Sequence, residues 1–76
     1  PSLLTVLYTP RGEDQQQPHE QDEVYVVVAG TAGIEVEGEP VRPLATGDAV
    51  FVAANTRHRF VDISGDFAAW AVFPQR

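Results

Sequence analysis

The 76-residue chain contains no cysteine and no methionine, and it has only five basic residues against eleven acidic ones. The missing cysteines exclude disulfides, thiolate metal ligands and thiol nucleophiles. The net charge of −6 opposes binding to a phosphate backbone, so we expect no nucleic-acid partner. The sequence also lacks a bilayer-length apolar run and a signal-peptide pattern. We therefore predict a soluble, cytoplasmic protein with no membrane partner.

The length of the chain limits its organisation. A chain of 8.3 kDa forms at most one domain, which we place at residues 1–76. A domain of this size has a small core, so a dimer interface or a bound metal would add useful stability. Because the chain starts at Pro1 and has no methionine, we also expect that some N-terminal residues are missing.

Short runs of β-branched and aromatic residues alternate with Gly, Pro and Asp turns along the chain. Glu23 to Ala29, with four valines and a tyrosine, is the clearest strand. Pro43 predicts an edge strand or a strand end at 41–44, because proline cannot donate to a sheet ladder. The segment 30–33 is predicted to be a hairpin loop. Further strands are predicted at 3–8, 34–36, 49–52, 58–61 and 67–73, which together favour an all-β sandwich or barrel.

The two histidines, His19 and His58, each lie beside a strand-like run. Alternate residues of a strand share a face, so Gln17, His19 and Glu23 project to one side if their segment is extended. Two imidazoles and a carboxylate form a donor set for a divalent transition metal such as iron, manganese, nickel or zinc. We predict one such ion on His19, Glu23 and His58. The alternative is that both histidines are ordinary hydrogen-bonded or exposed residues.

Aromatic and basic residues near these positions are candidates for ligand binding. Tyr25 and Phe60 are expected to pack in the core and to line a small-molecule cavity, and Trp70 is expected in the core. Arg59 and its neighbour Arg57 flank His58 in the sequence. Arg59 is our candidate for a substrate carboxylate, with a surface position as the alternative.

Two acidic features are assigned structural roles. Asp22 precedes Glu23 and points to the opposite face of a strand, so we expect it to be exposed or bonded to the backbone. Glu35, Glu37 and Glu39 alternate along the chain and are expected to form a solvated strand face rather than a calcium site.

The region around His19 resembles the first sequence motif of the cupins. That motif runs histidine, one residue, histidine, three or four residues, glutamate, six residues and glycine. His19, Glu23 and Gly30 match its last three landmarks, and Gln17 takes the place of the first histidine.

The region around His58 resembles the second cupin motif, which runs glycine, five residues, Pro-x-Gly, two residues, histidine, three residues and asparagine. Gly47, Ala53, Asn55, His58 and Asp62 fall on those places. Asparagine tolerates the left-handed conformation, so Asn55 can replace the motif glycine.

The resemblance extends from about residue 3 to residue 73 and implies a double-stranded β-helix, or cupin jelly roll, that forms a homodimer. It also implies a metal ion held by His19, Glu23 and His58, with Gln17 or water completing the site. The expected function is that of a small metal-dependent enzyme, dioxygenase-like or an isomerase or lyase, acting on a small oxygen-bearing molecule. Two alternatives stay open. One is a non-enzymatic module that binds a sugar or an organic acid, and the other is a metal-free epimerase-like protein using His58 and Asp62.

Overall fold

The computed structural model describes residues 2–12 and 20–75, which form seven β-strands. The strands are β1 (Ser2–Tyr8), β2 (Glu23–Ala29), β3 (Thr31–Val36), β4 (Arg42–Ala45), β5 (Ala49–Val52), β6 (His58–Val61) and β7 (Ala68–Gln75). No helix that could cross a membrane occurs in these ranges. The all-β prediction is confirmed, and the predicted bounds of β2, β5 and β6 match the structure.

The strands pair antiparallel in two sheets, whose orders are β1-β7-β2-β5 and β4-β3-β6. β4 lies at a sheet edge, as Pro43 predicted. β2 and β3 follow each other in the chain but belong to different sheets, so the turn between them transfers the chain across the fold. The hairpin loop predicted at 30–33 is wrong, because β2 and β3 do not pair with each other and β3 already begins at Thr31, with Gly33 buried within it.

Two turns depend on a left-handed backbone conformation. Gly30, which joins β2 to β3, has a φ of 71°. Asn55, in the turn between β5 and β6, has a φ of 62°, which confirms that asparagine takes the role of the motif glycine there. The turn at Asn55 brings the chain directly into β6 and its first residue, His58.

The core lies between the two sheets and combines large side chains with small ones. Tyr25, Phe60 and Phe67 are almost fully buried, and Ala69 and Ala71 of β7 belong to the same buried cluster. Successive residues of a strand point to opposite faces, so the residue between the two buried alanines of β7 points outward. Trp70 is that residue and is 42% exposed, so its predicted core position is wrong.

Candidate functional site

The buried faces of β2 and β6 supply the polar residues of the interior. β2 places Glu23 and Tyr25 inward, and β6 does the same with His58 and Phe60. Glu23 and His58 are the buried polar residues of the described chain, at 1% and 6% exposure. Since β2 and β6 belong to different sheets, these groups meet only when the sheets pack together.

His58 is held by a hydrogen bond at each ring nitrogen. Its Nδ1 lies 2.8 Å from the backbone oxygen of Thr56. A carbonyl oxygen only accepts, so Nδ1 carries the proton and donates it. The Nε2 atom lies 2.9 Å from the hydroxyl of Tyr25 and 2.9 Å from Oε1 of Glu23. Thr56 therefore fixes the ring orientation and leaves Nε2 to face the buried hydroxyl and carboxylate.

The contact between His58 and Glu23 suits a shared cation. Ligand atoms bound at about 2.0–2.2 Å and at right angles lie about 3 Å apart, close to the 2.9 Å between Nε2 and Oε1. Imidazole nitrogen and carboxylate oxygen are donors that iron, manganese, nickel and zinc accept. Within residues 2–12 and 20–75, no three His, Cys, Asp or Glu side chains converge. The predicted ligands His19 and Gln17 lie outside the described residues.

An aromatic cluster surrounds the polar groups. The rings of Tyr25 and Phe60 meet edge to face with centroids 4.8 Å apart, and Phe67 lies 5.0 Å from Phe60. Tyr8 of β1 packs 6.3 Å from Tyr25 and 5.8 Å from Phe60. The structure thus brings the predicted ligand-binding residues Tyr25 and Phe60 to His58. The aromatic rings lower the polarity around His58 and Glu23, which strengthens the electrostatic interaction between these two side chains.

Arg59 is not brought to this cluster. It occupies the exposed side of β6, because His58 and Phe60 on either side of it point inward. Its Nε lies 3.0 Å from Oε1 of Glu35 on the neighbouring strand β3, and both side chains are about half exposed. The solvated strand face predicted for Glu35, Glu37 and Glu39 therefore includes an ion pair between two strands, Glu35 with Arg59.

The site includes two residues that sequence analysis missed. Thr56 contributes only its backbone oxygen, which any residue type provides, so nothing in its side chain signalled the role. Tyr8 could have been found from strand parity. It pairs with Ala69, a buried residue of β7, and paired residues of antiparallel strands share a face.

Asp22 ties the start of β2 to the turn that carries His58. Its Oδ1 accepts a hydrogen bond of 2.8 Å from the backbone amide of Ala54, and Asp22 itself is exposed. The expectation that Asp22 is exposed or bonded to the backbone is confirmed, and both hold. Asp22 is thus a positioning residue for the 53–57 turn.

We expect Asp22→Ala to lower the free energy of unfolding by about 1 kcal/mol, because the Ala54 amide loses its acceptor. Urea unfolding followed by circular dichroism measures this change. Asp22→Asn keeps a side-chain oxygen at the same place and should retain most of the stability. Equal losses in the two variants would contradict a role based on this hydrogen bond.

Comparison with known proteins places this geometry in a family. Residues 4–73 match the sequence model of Cupin_2, the cupin domain. An uncharacterized protein of Streptomyces coelicolor is 47% identical over 60 residues, which cover 79% of this chain and 56% of that protein. The chain thus spans little more than half the length of this relative.

Two solved structures have the same fold. KdgF from Halomonas sp. is 31% identical with a TM-score of 0.81, covering 100% of this chain and 73% of that one. A protein from Ralstonia eutropha described as a candidate mannose-6-phosphate isomerase is 33% identical with a TM-score of 0.69, covering 97% of this chain and 73% of that one. The two antiparallel sheets therefore form a cupin jelly roll. With its buried Glu23 and His58 at two motif positions and a family match over nearly its whole length, the chain belongs to the Cupin_2 family of cupin domains.

Proposed function

We propose that this protein is a metal-binding cupin that acts on a small oxygen-bearing molecule. In this proposal Glu23 and His58 hold one divalent transition metal ion, iron, manganese, nickel or zinc. His19 and Gln17, at the remaining positions of the first motif, complete the ligand set. The observation that carries the proposal is the buried contact of 2.9 Å between His58 Nε2 and Glu23 Oε1.

The donor atoms are arranged in a way that supports a cation. Both side chains are only 1% exposed. A carboxylate and an unprotonated imidazole nitrogen at this distance both present lone pairs, so they need a shared proton or a positive ion between them. The hydrogen bond from Nδ1 to the backbone oxygen of Thr56 supports the positive ion, because it keeps the proton on Nδ1 and the lone pair of Nε2 directed at the site.

The bound ion would supply Lewis-acid polarisation of a substrate oxygen. The protein's own residues prepare the surroundings for this chemistry. Thr56 orients the imidazole of His58. The Tyr25 hydroxyl lies 2.9 Å from Nε2. With the ion on Nε2, this hydroxyl would hydrogen-bond to a substrate oxygen instead of to His58. Phe60 and Tyr8 cover the cluster with apolar surface and limit the access of water.

An isomerase or lyase reaction is favoured over a dioxygenase-like one. The Ralstonia eutropha protein described as a candidate mannose-6-phosphate isomerase is 33% identical to this chain. Isomerisation requires proton transfer next to an oxygen function and no redox change at the metal. We therefore infer a substrate class of small hydroxy or carbonyl compounds, with sugars or sugar phosphates as the first compounds to test.

A metal-free function is the second candidate, and the same contact supports it. If the proton lies between His58 and Glu23, the two groups form an acid–base pair able to exchange protons with a substrate. Asp62, the acid expected to partner His58, is exposed in a left-handed bend after β6. Glu23, within 2.9 Å of His58, is the better partner for a metal-free epimerase or for a module that binds a sugar or an organic acid.

Elemental analysis by mass spectrometry tests the proposal directly. The protein is purified without an affinity tag or added metal, and the metal content is measured per chain. We expect about one ion per chain, as for other sites that retain a resident metal. Zinc, manganese or nickel would support the isomerase or lyase, and iron would support the dioxygenase-like reaction. Less than about a tenth of an ion per chain, persisting after reconstitution, would overturn the metal proposal in favour of the metal-free candidate.

A further inference from the structure

An open cavity lies beside the three-stranded sheet, apart from the buried pair of Glu23 and His58. Its volume is about 600 Å³, which is within the range of small-molecule binding sites. Its lining comes from β3, from β4 and the turns on either side of it, and from the bend after β6, and includes Thr31, Gly33, Val41, Pro43, Asp48 and Asp62. Neither Glu23 nor His58 belongs to this lining. The cavity is therefore separate from the candidate metal site.

The wall that β3 gives to the cavity is apolar and depends on Gly33. The residues on either side of it, Ala32 and Ile34, belong to the core, so Gly33 lies on the outer side of the strand. A Cβ at Gly33 would lie 2.8 Å from Cγ1 of Val41 and 3.1 Å from Cγ2 of Val61. Glycine within a strand is typical of places where another group approaches the backbone closely. Here the missing side chain leaves an apolar wall of strand backbone and Val41 methyl groups.

The carboxylate of Asp48 is fixed in the lining of the cavity. Its Oδ2 atom accepts a hydrogen bond of 2.8 Å from the backbone amide of Ala45, and the amide of Asp48 donates one of 3.0 Å to the backbone oxygen of Ala45. The Oδ1 atom has no hydrogen-bond partner within residues 2–12 and 20–75. One oxygen of a positioned carboxylate is thus available to a ligand.

Asp62 supplies a second carboxylate. It falls on the last place of the second cupin motif, yet it lines this cavity. The described part of the chain gives its side chain no hydrogen bond and no ion pair. Arg42 and Arg59, on the two strands that flank β3, are paired instead with Glu39 and Glu35. Among the described residues, the lining of the cavity therefore holds two carboxylates and no basic side chain.

We propose that this cavity binds a small organic amine. The hydrocarbon body of the ligand lies against the apolar wall, and its ammonium group is attracted to the carboxylates of Asp48 and Asp62. An acidic ligand finds no cation in the lining and is repelled by the net charge of −6. A neutral ligand leaves both carboxylates without a counter-ion. Charge complementarity therefore favours an amine over an acid or a neutral molecule of the same shape.

NMR titration of the isotopically labelled protein tests the proposal with two matched probes, phenethylamine and the neutral phenethyl alcohol. At low ionic strength we expect the amine to shift the amide signals of residues 31–33, 44–48 and 62, with a Kd on the order of 1 mM. The alcohol should bind at least about fivefold more weakly. Asp48→Asn and Asp62→Asn should each weaken amine binding about fivefold. Glu37→Gln removes one negative charge from an exposed position outside the cavity and should leave the Kd unchanged.

Three results would overturn the proposal. These are equal affinities for the amine and the alcohol, no amide shifts up to about 20 mM amine, and the same Kd in the two aspartate variants as in Glu37→Gln. Amine-induced shifts centred on His58 would place the ligand in the candidate metal site and would also overturn it.

The two aspartate variants are chosen to preserve the fold. Asparagine keeps a side-chain oxygen for the Ala45 amide at position 48, and it accepts the left-handed φ of 51° at position 62. Circular dichroism checks that each variant is folded, and Asp62→Asn decides alone if Asp48→Asn unfolds. Neither position is a proposed metal ligand, so the outcome is independent of the metal content.

Discussion

Replacing His58 by alanine is expected to lower the bound metal from about one ion to less than about a tenth of an ion per chain. The imidazole is one of two donor groups that the described structure brings together, and its Nε2 atom lies 2.9 Å from Oε1 of Glu23. Alanine has no donor atom, and it leaves Glu23 buried beside an unfilled space. Metal content by elemental mass spectrometry, with circular dichroism as the test of folding, measures the effect.

His58→Gln guards against a variant that simply unfolds. Its amide can donate a hydrogen bond to Glu23 but offers the metal only a weak neutral oxygen, so the fold should persist while the metal is lost. Arg59→Gln is the matched control, because Arg59 is the next residue but lies on the opposite side of β6. Arg59→Gln should keep the metal. Unchanged metal in a folded His58→Gln would remove His58 from the site.

Thermal unfolding gives a second reading of the same prediction. Metal at about a hundred times its dissociation constant should add roughly 2.7 kcal/mol to the stability of the folded state. For a domain of this size that raises Tm by on the order of 10 °C. The increase should be absent in His58→Gln and retained in Arg59→Gln. Identical Tm values for the wild-type protein with and without each candidate metal would contradict the site.

Gly30→Ala is expected to destabilise the fold by about 3 kcal/mol and to lower Tm by on the order of 15 °C. Two effects add. The φ of 71° is unfavourable for alanine. A Cβ at this position would also meet Ser64 Oγ, would lie 2.5 Å from Asp66 Oδ1 and would lie 2.8 Å from the backbone nitrogen of Phe67.

The packing around Gly30 explains why the neighbours cannot move aside. Ser64 Oγ accepts a hydrogen bond of 2.9 Å from the amide of Thr31 and donates one of 2.8 Å to Asp66. The backbone of Phe67 is fixed by its fully buried ring. A methyl group would therefore break the link between the β2–β3 turn and the loop that precedes β7.

Gly38→Ala separates the two effects. Gly38 has a φ of 82°, but a Cβ there would meet nothing within 4 Å. This variant should lose only the conformational term, about 1 kcal/mol. The comparison uses thermal and urea unfolding of both variants. Equal losses would mean that the contacts at Gly30 add nothing to the cost.

The local part of the fold could be predicted because it depends on the character of short segments. Valine-rich β2 and the turn residues that delimit β5 and β6 are local signals, and the structure confirms those strands with the predicted bounds. Pro43 likewise indicated an edge strand, because proline has no backbone N–H to donate to a sheet ladder. The left-handed Asn55 was predictable because few residue types accept that conformation.

The faces of the strands were harder to predict, since both sides of β2 and β7 are apolar. Alternation tells which residues share a side but not which side is buried when neither is polar. Trp70 was therefore assigned to the core, although the small residues Ala69 and Ala71 take that position. Ala71 pairs with Tyr25 within one sheet and points with it into the core, which places the indole of Trp70 on the outer side.

The sequence by itself determined the strand pattern, the turn positions and the motif spacing that singled out Glu23 and His58. Each of these follows from the properties of residues close together in the chain. The tertiary structure alone decided that Glu23 and His58 lie 2.9 Å apart, that Thr56 orients the imidazole, and that Arg59 faces Glu35 instead of the interior. These contacts join strands that are far apart in the chain or depend on backbone atoms, and residue type alone does not specify either.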